Sequence, residues 1–272
     1  MENLFGVKGK VMAITGGGGV LCGTMAKALA QAGAKTAVLD LNEQAAQAVA
    51  DQINKEGGCA LACKCNVLEK DSIAAAKEAV EAKLGPVWAL INGAGGNKKD
   101  ATTSPELSFF DLPPDAFRFV FDLNILSAVL ASQVFGKAMA DRGEGVILNI
   151  SSMNSFRPLT KIPAYSAAKA GVSNFTQWLA VHMCQNYSAK IRVNAVAPGF
   201  FLTEQNRFLL TDEKTGGLTP RGQSIVSHTP MGRFGANEDL LGTVFWLLSD
   251  ASKFVTGIVV PVDGGFSAFS GV

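Results

Sequence analysis

Long unbroken apolar runs are missing from this sequence. Its hydrophobic runs, such as VMAI, VWALI and GVILNI, fall far short of the roughly 20 residues a membrane helix needs. The opening stretch, MENLFGVKGK, carries a Lys pair but lacks the apolar core of a signal peptide. Charge of neither sign dominates: a formal net charge of +1 gives no basic footprint for nucleic acid and no acidic tail. Cysteine is sparse, five in 272 residues, which excludes a disulfide framework. Cys59, Cys63 and Cys65 cluster, but no histidine or second cysteine pair supplies tetrahedral zinc spacing, so no metal is expected. Linkers, repeats and breaks in composition are also missing. What remains is a cytoplasmic protein with reduced, mostly buried thiols and one domain over residues 1–272, its 48% hydrophobic content ample for a large core.

What is present is alternation. Short β-rich apolar segments (Lys10–Ile14, Lys35–Leu39, Ala60–Cys65, Val87–Ile91, Gly145–Ile150, Ile191–Val196 and Ile258–Val262) alternate with amphipathic or Ala-rich ones. The latter are Cys22–Ala32, Glu43–Glu56, Lys70–Leu84, Asp115–Ala140, Ala164–Tyr187 and Asn237–Leu248. This order predicts right-handed βαβ crossovers and an α/β fold: a Rossmann-type, doubly wound, mostly parallel seven-stranded sheet with helices on both faces. Two connections are too long to be ordinary turns, at about 95–114 and 198–235. Both follow strands, so both should rise at the carboxyl edge, where such sheets bind ligands.

The stretch VMAITGGGGVLCG runs from the first strand straight into a helix. Glycines there let bare backbone N–H groups and a helix N-terminus face a pyrophosphate, although a plain tight turn would use them too. The second strand closes on Asp40 in AVLD, roughly twenty residues on, where an acid can accept from a ribose 2′-hydroxyl and repel a 2′-phosphate. The same residue could instead cap the next helix. Loop and acid together point to NAD in preference to NADP.

In PAYSAAKAG, Tyr165 and Lys169 stand four residues apart, about one helical turn, so they share a face among small alanines. Alone they would read as surface residues. Ser152 in LNISSM lies thirteen residues upstream. With the glycine loop, NGAG at Asn92–Gly95, Asn124 in FDLNIL, PGFFLT at Pro198–Thr203 and VDGG at Val262–Gly265, the chain resembles the short-chain dehydrogenase/reductase family over essentially its whole length.

That resemblance implies four catalytic residues. Tyr165 would be the general acid or base, and Ser152 would donate to the substrate oxygen. Lys169 would lower the phenol pKa, and Asn124 would hold a water through which Lys169 exchanges protons. The implied cofactor contacts are Gly16, Gly19, Val20, Leu21, Asp40, Asn66, Val67, Asn92, Gly93, Ala94, Tyr165, Lys169, Pro198, Gly199, Phe201 and Thr203. A homotetramer is implied as well, with apolar helix faces in Asp115–Ala140 and Ala164–Tyr187 as its contacts. The aromatic-rich FFDLPPDAFRFVFD is expected as core and subunit contact. A catalytically silent dinucleotide sensor is the competing class, although such proteins often lose the Tyr or Lys kept here.

The chain departs from the family pattern twice. The second and third loop glycines fall at Val20 and Cys22, and the strand-three acid that flanks adenine is Asn66. GGNKKDATT, ISSMNSFRPLTKIPAYSAAKA, APGFFLTEQNR and HTPMGRFG resemble a branch interconverting D-mannonate and D-fructuronate, which implies a sugar-acid substrate; gluconate and deoxy-gluconate are its neighbours. A polyol carboxylate needs amide and hydroxyl partners and a cation. Asn97 and Lys98, Asn154 and Arg157, and Asn206 and Arg207 are the candidates. His228 in the second long loop could also reach substrate, but a loop histidine is more often structural.

Overall fold

The computed structural model describes residues 4–203, 207–212 and 215–271. Seven strands form one sheet in the order β3-β2-β1-β4-β5-β6-β7. They are β1 (Val11–Thr15), β2 (Lys35–Asp40), β3 (Cys59–Lys64), β4 (Val87–Asn92), β5 (Gly145–Ile150), β6 (Ile191–Pro198) and β7 (Val259–Val262). Every pairing is parallel, so the sheet is wholly rather than mostly so. The chain reverses its direction of winding between β1 and β4, which opens a crevice at their carboxyl ends.

Both faces are covered, which explains why the strands read as unbroken apolar runs. Alternate residues of β1 serve opposite layers. Met12 and Ile14 pack with α1 (Val20–Gln31), α2 (Glu43–Lys55) and α9 (Leu241–Leu247). Val11 and Ala13 pack with α3 (Lys70–Leu84), α5 (Ser127–Arg142) and α6 (Pro163–Asn186). All five cysteines are free; Cys22 and Cys65 are buried, but Cys59 is exposed.

The segment expected as one helix over 115–140 is α4 (Pro114–Phe121), a π-helical turn at Asp122–Leu126, and α5. By length and composition alone, Pro114–Arg142 could cross a membrane, although no single apolar run in it is long. Its buried residues Ala131, Phe135 and Met139 belong to the core beside the sheet. The aromatic stretch ahead of it is mostly surface, contrary to a core role: Phe110 is 92% exposed, and Phe109, Phe119 and Phe121 are exposed too. The long connections hold short elements, including α7 (Arg207–Leu210) and α8 (Pro220–Ser227), and both lie at the carboxyl edge of the sheet.

Candidate active site

A cleft of about 630 Å³ lies over the switch between β1 and β4. Gly16, Gly19, Val20, Leu21, Asp40, Asn66, Val67, Gly93, Ala94, Gly199, Phe201 and Thr203, all predicted cofactor contacts, line it. Gly16 has φ +64, and a Cβ there would stand 2.9 Å from the Ala94 backbone, so the loop turns only with glycine. Gly19 is the N-cap of α1 and offers no capping side chain, and the first turn carries no acid. The N–H groups at that end are therefore open to an anion. Asp40 does not cap α2, since Asn42 accepts from Ala45 N–H in that role. Instead Asp40 accepts from Gly18 N–H (3.0 Å) and Asn42 N–H (2.9 Å), which fixes its carboxylate at the cleft wall. These features fit a dinucleotide.

The variant loop has a structural counterpart. A Cβ on Gly93 would overlap the Cys22 Sγ, so Cys22 occupies room that a bare Gly93 leaves. Burial raises the Cys22 thiol pKa to about 12, so it packs as a neutral group. Asn66 is partly committed: its Nδ2 donates to Glu69 (2.8 Å) and its Oδ1 accepts from Leu68 N–H (3.1 Å).

Four predicted cofactor residues do not line the cleft: Tyr165 and Lys169, which belong to the cluster described below, and Asn92 and Pro198. The Asn92 side chain is buried away from the cleft and donates to Ser132 Oγ (3.0 Å) and Asn149 Oδ1 (2.8 Å). Asn149 in turn donates to Thr176 Oγ1 (2.8 Å), so this chain of amides ties β4 and β5 to α5 and α6. Asn92 is thus a strut beneath the site. Pro198 is buried at the end of β6 and does not line the cleft.

The predicted catalytic residues converge. Ser152, buried, begins a 3₁₀ turn after β5, and Tyr165 and Lys169 share one face of α6. Lys169 Nζ donates to Ile150 O (2.8 Å) and lies 5.6 Å from the Tyr165 ring centroid. Asn124 sits in the π-helical turn, a distortion that often marks functional sites, and its Nδ2 donates to Gly96 O (2.7 Å) and Val120 O (2.7 Å). A Cβ on Gly95 would stand 2.7 Å from Asn124 Oδ1 and 3.1 Å from Lys169 Nζ, so that glycine leaves room for both side chains.

The electrostatics correct one expectation. Burial holds the Tyr165 phenol above its ordinary pKa, and a hydrogen-bonding Ser152 only partly offsets it. Lys169 does not reverse this, because burial lowers its own pKa to about 8. Tyr165 keeps some exposed surface, so the upward pressure on it is less than full burial would give. At neutral pH the pair is therefore a protonated phenol beside a protonated amine, a site set to donate a proton.

A second cavity, of about 580 Å³, adjoins the cleft, and Phe200 lines both. Asn97 is on its wall, as predicted, with Nδ2 donating to Thr102 (2.8 Å). Asn154 is buried beside Ser152, its Oδ1 without a partner. The predicted cations are elsewhere. Arg157 Nε donates to Ser267 O (3.1 Å), fastening the segment whose Phe266 forms part of the cavity wall. Lys98 pairs with Asp100 (3.8 Å) and stands over the Phe119 ring, while Arg207 is exposed on α7; neither lines the cavity. Asn206 lies outside the described residues. In place of these, Lys161, Arg221 and His228 line it. The basic character of TKIP and TPRGQ was the available signal for the first two.

Comparison with known proteins agrees with this geometry. The family model described as enoyl-(acyl carrier protein) reductase matches residues 21–267. UxuB of Bacillus subtilis, an uncharacterized oxidoreductase, is 50% identical over 100% of this chain and 98% of its own. The 2-dehydro-3-deoxy-D-gluconate 5-dehydrogenase of Formosa agariphila is 36% identical over 99% and 97% of the two chains. A Haemophilus influenzae protein solved with bound NAD, provisionally named a D-mannonate oxidoreductase, superposes with a TM-score of 0.92 at 50% identity, covering 98% of both chains. With the parallel sheet, the dinucleotide cleft and the Ser–Tyr–Lys–Asn cluster, these likenesses place the chain in the short-chain dehydrogenase/reductase family of oxidoreductases.

Proposed function

We propose that this enzyme is an NAD-dependent oxidoreductase that interconverts D-mannonate and D-fructuronate. One observation carries the sugar-acid reading: a cavity that shares Phe200 with the cofactor cleft and is lined by Lys161 and Arg221 but, among the described residues, by no carboxylate. NAD, when bound, supplies or accepts the hydride. Ser152 donates a hydrogen bond to the reacting oxygen, and Tyr165 gives that oxygen its proton in the reductive direction. Lys169 places positive charge behind the phenol, and Asn124 braces the loop at Gly95–Gly96 against it. The unpaired Asn154 Oδ1 accepts from a substrate hydroxyl, since leaving it bare would cost about 1–3 kcal/mol. Asp40 accepts from the ribose and selects NAD, in keeping with the bound NAD of the Haemophilus relative.

Gluconate or deoxy-gluconate oxidation is the second reading, favoured by the Formosa relative, which acts on 2-dehydro-3-deoxy-D-gluconate. An NADH-consumption screen with D-fructuronate, 5-ketogluconate and an uncharged ketose decides. Fructuronate should be preferred; preference for 5-ketogluconate moves the enzyme to the second reading. A protein that binds NADH and turns over none of them is a sensor. The molecule acts as a single domain in the cytoplasm and as a homotetramer, supported by the exposed Phe119, Leu126, Trp178 and Val181 on α4–α6. Light scattering that finds a stable monomer at micromolar concentration defeats the last point.

A further inference from the structure

The sugar-acid reading leaves open what holds the carboxylate, and the free cations of the second cavity answer it. Arg157 is committed to Ser267 O, Lys98 stands by Asp100, and Arg233 is paired with Asp239. Arg221 from α8 and Lys161 from the segment ahead of α6 are different: both line the cavity, and among the described residues neither side chain has an anionic partner. The Lys161 backbone carbonyl is pinned by Thr103 N–H (2.9 Å), so this wall is joined to the first long loop. No Asp or Glu among the described residues lines the cavity, so nothing there competes for the two charges.

His228 completes the set. Its Nδ1 lies 2.7 Å from Ser224 O, an oxygen that can only accept, so Nδ1 carries the proton. With Nδ1 donating to that carbonyl, Nε2 is the ring nitrogen left to meet a ligand, and the Phe269 ring packs against the imidazole (centroids 6.5 Å apart). Such a nitrogen beside two cations suits a hydroxyl next to a carboxylate.

Resting on the sugar-acid reading, we propose that Arg221 forks onto the substrate carboxylate with Lys161 as the second cation, and that His228 Nε2 meets a hydroxyl of the same chain. Arg221 is thereby the main determinant of acid over neutral substrate. Neither cation is one of the residues that move the proton, so the clamp sets affinity and orientation without entering the chemistry.

The test compares wild type, Arg221→Ala, Arg221→Lys and Lys161→Ala on fructuronate, 5-ketogluconate and an uncharged ketose, with NADH affinity measured by fluorescence as the folding control. Arg221→Ala should raise KM for the acids about 10- to 100-fold while the ketose value moves little, erasing discrimination. Arg221→Lys should recover part of the loss, because a point charge attracts without forking. Lys161→Ala should give a smaller shift in the same sense. Acid KM values within twofold of wild type in both alanine variants, with NADH binding intact, overturn the clamp and leave the sugar-acid reading standing. A wild type that prefers the uncharged ketose overturns both. If wild type turns over none of the three, the sugar-acid reading fails. The clamp is then judged by calorimetric binding of D-gluconate to the enzyme–NADH complex: binding that Arg221→Ala abolishes sustains it, and unchanged or absent binding ends it.

Discussion

The two cavities that meet at Phe200 are built from opposite chemistry. Among the described residues, the cofactor cleft has one charged side chain, Asp40, and no Lys or Arg. The neighbouring cavity has Lys161, Arg221 and His228 and no acid. The first meets negative charge with main-chain N–H groups and the open end of α1, which the fold itself supplies. The second uses side-chain charge, which one substitution can remove. The dinucleotide half is thus fixed with the architecture, and the substrate half is free to vary on it.

The largest expected break comes where the halves join. Tyr165→Phe should lower kcat by about 10³-fold or more, while a fluorescence titration finds NADH binding nearly unchanged. A variant that keeps tenfold less activity than wild type would mean the proton comes from elsewhere.

Lys169 comes next, because it is neither exposed like the substrate cations nor replaced by backbone. Its pKa is about 8 in the folded protein against 10.5 as an ordinary lysine, so the unfolded chain binds the extra proton between those values. Stability from this group is therefore lowest below pH 8 and recovers as pH rises toward 10.5. Lys169→Met should gain on the order of 3 kcal/mol at pH 7, with the gain vanishing toward pH 10.5, and should lose activity. Urea melts across pH measure it. In wild type the reductive rate should fall as pH passes about 8, where the amine loses its proton.

Asp40→Ala tests the lone acid of the cleft. Relief of its repulsion with a 2′-phosphate, about 1–4 kcal/mol, should narrow the NAD preference measured as a ratio of kcat/KM values. KM for the sugar acid should not move. Equal use of both cofactors by wild type would remove the argument.

A smaller effect concerns packing under the glycine loop. Gly93→Ala should cost about 1–3 kcal/mol by overlap with Cys22 Sγ, and Cys22→Gly should restore part of it. The Thr15 carbonyl, 2.7 Å from the same Cβ position, keeps the rescue incomplete. Additive losses in the double mutant would show the two positions to be uncoupled.

The smallest effect is ionic strength. Salt should raise KM for the acid severalfold, since Arg221 and Lys161 are exposed, and raise that for NADH less.

These contrasts also explain what could be read from the sequence. Strands such as Gly145–Ile150 and helices such as Lys70–Leu84 matched the structure residue for residue, because both faces of the sheet are buried and the pattern is local. That Ser152, Asn124, Tyr165 and Lys169 would lie near one another was legible because each stands at a fixed place relative to a strand or a turn. The cations of the second cavity were not. Arg157 and Lys98 lie close in sequence to the catalytic strand ends, yet a tertiary contact with Ser267 turns the first elsewhere and a local ion pair with Asp100 holds the second. Arg221 reaches the cavity only through the path of a long connection. The direction of the Tyr165 pKa was misjudged for a related reason: sequence reveals the neighbouring amine but not the burial of both groups.

The bond from Arg157 to Ser267 spans 110 residues, whereas the cleft's first wall is assembled within β1, α1 and β2. Contacts of such long range form slowly, so the wall that carries Phe266 is expected to settle late as the chain folds. A nascent or partly melted molecule would then hold its dinucleotide before it could choose an acid. The coenzyme becomes a scaffold that steadies the first half while the specificity of the second is still being formed.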